Sequence, residues 1–205
     1  MRIAVLGSGA VGQALARGYA GHGHQVRLGT RQGDVAGLPV APPAEAVRDA
    51  ELVVLAVLGS AAVDVVTPLA GELAGKVLVD ATNPLDTSSG APQLFVGHTD
   101  SLGEQVQRAV PAARVVKAYN TVGNALMVDP QLPGGPPTMF IAGDDPGAKE
   151  VVTGLLRETG WDVADLGGIE ASRWLEPMCL AWVAHGVRSG RWGHAFRLLR
   201  PAGDA

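Results

Sequence analysis

Short apolar runs alternate along the chain with stretches whose apolar residues recur at helical spacing. Residues 3–6 form a run long enough for a buried strand and too short for a helix. A helical pattern follows over residues 10–20, and Gly21, His22, Gly23 and His24 stop it and turn the chain. Residues 25–29 read as a second strand, residues 38–40 as a possible short one, and residues 44–50 as a short helix after Pro42 and Pro43. Residues 51–57 make the strongest strand, a near-continuous apolar run suited to the centre of a parallel sheet. The pattern then predicts a helix over 61–74, a stop at Gly75 and a strand over 76–81. Ser101 with Glu104 three residues on predicts a capped helix that ends near Val110 and Pro111. Strands are expected over 114–119, 138–143 and 161–166. Between the last two, Asp145 and Pro146 start a helix running to about residue 159. A final helix over 170–185 contains Pro177, which should bend it. The tail over 188–200 carries Trp192, Phe196, Leu198 and Leu199 and is expected to dock.

Repeated strand–helix units imply right-handed crossovers and an α/β fold: a doubly wound, mainly parallel sheet with a small C-terminal helical extension. With 205 residues, the expected division is a main domain over 1–135 and a small α/β lobe over 136–205 that helps form a cleft and a dimer contact. The core must be built mostly from Val, Leu, Ala and Ile, since 47% of residues are hydrophobic and only 4% are aromatic. A formal charge of −4 with no basic block argues against nucleic-acid binding. One cysteine, Cys179, rules out an intrachain disulfide and fits a cytoplasmic setting. No signal-peptide layout and no run long enough to span a bilayer is visible, so no membrane association is expected.

The chemistry concentrates in loops at strand ends, where open sheets of this kind bind ligands. The first strand runs into Gly7, Ser8, Gly9, Ala10, Val11 and Gly12, a Gly-x-Gly-x-x-Gly pattern between strand and helix. Gly7 can make the tight turn, bare Gly9 lets a pyrophosphate lie against the backbone, and Gly12 lets the helix pack closely. The helix N-terminus then faces the phosphates. An NAD site places an acid at the end of the second strand, about 20 residues on. This chain has Thr30 and Arg31 there, a hydroxyl donor and a planar fork that match a 2′-phosphate. NADP(H) is therefore expected over NAD. Ala56 and Val57 end the central strand beside this site.

The loop after residue 81 holds Asn83 and Pro84, and the proline biases Asn83 to an extended conformation that can aim its amide at a nicotinamide. Asn120 and Thr121 form a second polar loop, so Asn83, Asn120 and Thr121 are the expected acceptor pocket. The long polar segment over 86–100 has the character of a lid or binding loop. Lys117, inside a strand, reads as a snorkelling edge residue. Asp144 and Asp145 read as a turn and a helix cap rather than a metal site, and no metal site is expected. Cys179 reads as an inert thiol.

With these residues laid out, the chain resembles the coenzyme F420-dependent NADP oxidoreductase family over essentially its whole length. The resemblance rests on Gly7 to Gly12, on Gly29, Thr30 and Arg31, and on Asn83, Pro84 and Leu85. It continues through Lys117 to Thr121, Ala142 to Asp145 and Asp165 to Gly168, and ends in the helix carrying Glu170 to Trp182. NADPH-binding domains of STEAP-type metalloreductases look similar over the first half. The resemblance implies a Rossmann-type domain that binds NADP(H), with the acceptor ring stacked on the nicotinamide in a cleft against the C-terminal lobe. Tyr119, Asn120 and Thr121 depart from the family's pattern in the acceptor pocket.

The implied activity is hydride transfer between NADP(H) and a deazaflavin coenzyme (F420) or flavin-like acceptor, by orientation rather than by a fixed acid or base. His185 and Tyr119 are the residues that could serve as a hidden catalytic acid. Two alternatives stand beside it. One is an NADP-dependent reductase of another small molecule, using Asn83, Asn120 and His185. The other is a non-catalytic NADP-binding redox sensor. A homodimer is expected from the tryptophan-bearing C-terminal helix and tail.

Overall fold

A computed structural model describes residues 1–31, 33–35 and 37–201. In chain order the elements are β1 (Arg2–Leu6), α1 (Ala10–Gly21), β2 (Gln25–Gly29), β3 (Val40–Ala41), α2 (Pro43–Arg48) and β4 (Leu52–Leu55). Then come α3 (Ala62–Val66), α4 (Ala70–Leu73), β5 (Val77–Asp80), β6 (Leu85–Asp86), β7 (Gln93–Leu94), α5 (Leu102–Ala109) and β8 (Arg114–Lys117). The chain ends with β9 (Thr138–Ile141), α6 (Pro146–Glu158), β10 (Asp162–Asp165) and α7 (Ser172–Ser189).

Six strands form one sheet in the order β3-β2-β1-β4-β5-β8, and every neighbouring pair is parallel. The order reverses between β1 and β4, which makes their carboxyl ends the place where a crevice opens. Successive residues of each strand feed opposite faces. Ile3, Val5, Leu52, Val54, Val77 and Val79 join a core with Leu15 and Tyr19 of α1 and Val152 and Leu155 of α6. Ala4, Leu6, Val53, Leu55 and Leu78 join a second core with Val47 of α2, Val66 of α3 and Leu102 and Val106 of α5. Both faces are covered, as the near-continuous apolar strands require. This is the doubly wound α/β architecture, with α7 as the C-terminal helix.

The strands β9 and β10 pair in parallel with each other, and a single antiparallel bridge between Lys117 and Ala142 ties β9's end to β8. Met139 and Ile141 of β9 belong to the same core as Ile3 and Val5, so apolar packing runs without a break from the first segment into residues beyond 135.

The structure corrects several boundaries. The continuous helix expected over 61–74 is interrupted: 3-10 turns at Gly59–Ala61 and Thr67–Leu69 flank the short α3. Pro68 lacks the N–H that an α-helix interior requires. The strand expected over 114–119 stops at Lys117, and Tyr119, with φ of 61°, turns the chain away from the sheet. The polar segment over 86–100 is not bare loop, because β6 and β7 pair antiparallel and Phe95 N–H donates to Pro84 O at 2.9 Å. The last helix is displaced to Ser172–Ser189, with a 3-10 turn at Ile169–Ala171 before it. The tail docks as expected: Phe196 O accepts from Thr138 N–H at 2.9 Å, and Trp182 Nε1 donates to His194 O at 2.9 Å.

Candidate functional site

Four parallel strands end on one cleft of about 1520 Å³. Gly7 follows β1, Thr30 follows β2, Ala56 follows β4 and Ala81 follows β5, and all four line it. The sheet's bonding continues into these turns. Ala56 N–H donates to Leu6 O at 2.8 Å, Ala81 N–H to Leu55 O at 3.0 Å, and Gly7 N–H to Gly29 O at 3.2 Å. The loops are therefore fixed by the ladder itself rather than by long side chains.

The glycines divide the labour expected of them. Gly7 has φ of 118°, a left-handed-side conformation that favours glycine, and a Cβ there would strike Ala56 O. A Cβ on Gly12 would strike Gly7 O, so the bare residue lets α1 lie close on the turn. Gly9 differs: a Cβ there meets nothing within 4 Å, because the residue faces the cleft. Gly9 caps α1, whose first turn carries no acid, so the free N–H groups at Ala10 and Val11 offer an anion an unopposed positive helix end. Gln13 Nε2 donates to Ser8 O at 2.8 Å and holds the turn from behind.

At the opposite side Thr30 Oγ1 donates to Ser8 Oγ at 3.2 Å, tying the end of β2 to the glycine turn. Arg31 is exposed and lines the main cleft together with a neighbouring lobe of about 450 Å³ formed with Gly33, Val40 and Pro43.

Asn83 lines the cleft from the β5 end. Its Nδ2 donates to Asn120 O at 3.0 Å, which fixes the amide's orientation and leaves Oδ1 buried without a partner. Gly59 lies against the Asn83 carbonyl, where any side chain would collide. Beyond Asn83 the β6–β7 hairpin contributes Leu85, Asp86, Thr87, Ser88 and Phe95 to the lining, and Phe95 is 45% exposed there. Backbone and side-chain hydrogen bonds from Ser88 hold the Asp86 carboxyl below its usual pKa, so it stays ionised.

Of the residues expected to bind cofactor, Gly7, Ser8, Gly9, Ala10, Val11, Thr30, Arg31, Ala56, Val57 and Asn83 share this one cleft. Gly12 and Pro84 are buried just behind it. Among the expected acceptor residues only Asn83 lines it. Asn120 is 1% exposed, with Nδ2 donating to Leu175 O at 2.6 Å, and Thr121 is 3% exposed. Tyr119 lies in the core, its hydroxyl bonded to that of Tyr19 at 2.8 Å, and burial pushes its pKa up to about 12. His185 stands outside the cleft on α7, edge-on to His194 with ring centroids 4.5 Å apart. Sequence reasoning missed Phe95, Gly59 and Ser60. Their helical or loop contexts carry no motif, and a Phe after a polar stretch was the one available signal.

Lys117 is the clearest correction. It is wholly buried, not snorkelling, and its Nζ lies 2.9 Å from Asp80 Oδ2 and 2.9 Å from Glu176 Oε1. Burial pushes the ammonium toward neutrality, but the two carboxylates outweigh it and hold its pKa above the usual lysine value. The Asp144 carboxylate accepts from Ile169 N–H at 2.8 Å, and Asp145 caps α6 by accepting from Ala148 N–H at 2.6 Å. No group of three His, Cys, Asp or Glu among the described residues is placed to hold a metal. No helix among them is long and apolar enough to cross a membrane.

Fold and cleft together define a Rossmann-type dinucleotide-site architecture. Residues 2–84 match the model of the family described as NADP oxidoreductase, coenzyme F420-dependent. The F420-dependent NADP reductase of Methanothermobacter marburgensis is 30% identical over 200 residues, covering 86% of this chain and 88% of that protein. The chain belongs to the coenzyme F420-dependent NADP oxidoreductase family. It is also 32% identical over 186 residues to the metalloreductase STEAP3 of Rattus norvegicus, covering 87% of this chain. It spans 36% of the length of STEAP3, and 60% and 41% of two further curated relatives. A crystal structure from Arthrobacter sp. FB24, provisionally named an F420-dependent NADP-reductase, superposes with a TM-score of 0.92 at 40% identity, covering 98% of this chain and 100% of that one.

Proposed function

We propose that this protein is an NADP(H)-dependent reductase that passes hydride between the nicotinamide and a flat deazaflavin acceptor, coenzyme F420, or a flavin-like ring. The observation that carries this reading is the composition of the cleft. It runs from Arg31 to Phe95, and among the described residues its lining contains no His, Lys, Tyr or Cys. Reduction of a carbonyl leaves an alkoxide that needs a proton from a placed acid. The acidic side chains in the lining are two carboxyls, Asp64 and Asp86, and hydrogen bonds from Ser88 hold the second below its usual pKa. A deazaflavin spreads the incoming charge over its rings, so alignment of two flat systems suffices. The volume also exceeds the roughly 300–1,000 Å³ of a single-ligand pocket, which leaves room for an acceptor beside a dinucleotide.

In this reading Arg31 and Thr30 hold the 2′-phosphate, and Gly9 with the α1 N-terminus holds the pyrophosphate. The Asn83 turn bounds the nicotinamide end of the cleft. NADP(H), when bound, supplies the hydride chemistry; the protein supplies orientation and excludes water. Leu58 and Phe95 offer the acceptor ring apolar surface at the hairpin end. The single thiol of Cys179, buried on α7, suits a reducing cytoplasm. A homodimer through α7 completes the reading and is argued below.

The test mixes the protein with NADPH and oxidised deazaflavin and follows bleaching of the visible band, with flavin, ferric and carbonyl acceptors in parallel. Bleaching of deazaflavin or flavin, retained in His185→Ala and Tyr119→Phe, is the expected result. Turnover of a carbonyl acceptor with no bleaching overturns the reading.

A further inference from the structure

Lys117 has no surface role and does not line the cleft, yet it is tied to a residue that does. It ends β8 directly beside Asp80, which ends β5 in the same register. Its ammonium bridges Asp80 Oδ2 and Glu176 Oε1, each at 2.9 Å, with all three side chains at most 1% exposed. The ammonium faces two buried carboxyl groups whose remaining oxygens are costly to leave without hydrogen-bond donors. The structure supplies the donors. Glu176 Oε2 accepts from Leu102 N–H and Oε1 from Gly103 N–H, both at 2.9 Å, at the N-terminus of α5. Asp80 Oδ1 accepts from Thr82 N–H at 3.0 Å and from Thr82 Oγ1–H at 2.7 Å.

Those last two bonds fix the turn that carries Asn83. Thr82 is 2% exposed and lines the cleft through its body, while its hydroxyl is committed to Asp80. The next residue, Asn83, commits its Nδ2 to Asn120 O at 3.0 Å, and its backbone rests on Gly59. A chain of charge-assisted bonds thus runs from α7 and α5, through Lys117 and Asp80, to the loop over the nicotinamide end.

We propose that Lys117, Asp80 and Glu176 are positioning residues. They lock the Thr82–Asn83 turn onto the C-terminal helix, so that the nicotinamide half of the dinucleotide, and not the adenosine half, depends on them. This rests on the reading of the cleft as an NADP(H) site. None of the three touches the ligand, and their effect passes through Thr82.

The experiment compares binding of NADPH with binding of 2′,5′-ADP, which has the adenosine and its 2′-phosphate but no nicotinamide. Titrations are run on the wild type, Thr82→Val, Thr82→Ser and Lys117→Met. Removing one bond to a charged group corresponds to a loss of about ten-fold or more in affinity. Thr82→Val should therefore weaken NADPH by about ten-fold while 2′,5′-ADP stays within about two-fold. Thr82→Ser, which keeps the hydroxyl, should restore NADPH binding. Lys117→Met should show the same split at larger size, and the Thr82 pair decides the matter alone if that variant does not fold. Equal losses for both ligands would mean a merely structural role and overturn the proposal, as would no loss for either in Thr82→Val. A wild type that binds neither ligand refutes the NADP(H) reading itself, and the positioning role falls with it.

Discussion

Gly9 is the one glycine of the turn whose side-chain space is open cleft rather than protein. Its φ of −72° is open to any residue, so a larger side chain there is not strained. Gly9→Val should therefore fold with the wild-type melting temperature and lose both NADPH and NADH, because the isopropyl group would fill the place proposed for the pyrophosphate. Retained cofactor titration in a folded Gly9→Val would refute the placement. Arg31 is the complementary case. In the proposed pose it meets the 2′-phosphate, and one charge-assisted bond is worth about 1.5–3 kcal/mol. Arg31→Ala should weaken NADPH by roughly 10- to 100-fold and leave NADH nearly unchanged. Equal losses for both cofactors would sink that assignment. The place of both residues on the cleft was legible in the sequence because its signals are local: a spacing between a strand and a helix, and the position that ends the next strand. Lys117 was not. A lysine in an apolar run is ambiguous by itself, and the partners that settle it, Asp80 and Glu176, lie on two distant elements. The same network touches Cys179. Burial and the Glu176 carboxylate outweigh the Lys117 ammonium and push the thiol up to about 11. It should resist a thiol-labelling reagent at mildly alkaline pH while the protein is folded and react once the chain is unfolded in urea. Fast labelling of the native protein would contradict the packing of α7.

The α5 helix shows how an element is held at both ends by unlike means. Ser101 caps it by accepting from Glu104 N–H at 3.2 Å, and its hydroxyl donates to Glu104 Oε2 at 2.7 Å. Nearby, Asp100 meets Arg108 of the helix's last turn through two bonds of 2.9 and 3.0 Å. The Arg108 guanidinium lowers the Asp100 pKa from 3.8 to about 2. A carboxyl depressed in the folded state contributes stability that is present above its unfolded pKa and lost as pH falls through the folded one. Arg108→Ala should lower the urea midpoint at neutral pH, and the difference from wild type should vanish as pH falls from about 4 to about 2. The pair is partly solvated, so the effect at neutral pH should stay below about 1 kcal/mol. A difference that persists at the acid end would place the role of Arg108 in packing instead. The capping box was visible in the sequence as a serine followed by a glutamate. The hairpin of β6 and β7 was hidden, since two-residue strands in a polar segment carry no periodicity. Pro68 should have divided the helix expected over 61–74, and reading apolar spacing without weighing the proline produced that error.

At the scale of the whole molecule, alternating strand and helix patterns determine the layers, because apolar runs bare of polar positions must be covered on both faces. What they leave open is what, if anything, covers the outward side of α7. The buried side of this helix is settled by Leu175, Glu176, Cys179 and Trp182. Its other side exposes Trp174, Pro177, Ala181 and Ala184, an uncharged stripe at helical spacing, and Trp174 is 64% exposed. Small residues at the centre let two helices approach closely, and an exposed tryptophan beside them is the type of anchor found at the core of interfaces. Val187, in the last turn of α7, is also exposed, at 63%. We therefore expect a second copy of the chain to pack here, α7 against α7 about a two-fold axis, where one patch serves both partners. Sedimentation velocity at micromolar concentration should give a dimer for the wild type. Ala181→Arg places a charge and a long side chain in the close contact without touching the core, and should give a folded monomer. A wild type that sediments as a clean monomer, or an Ala181→Arg dimer, would remove α7 as the interface.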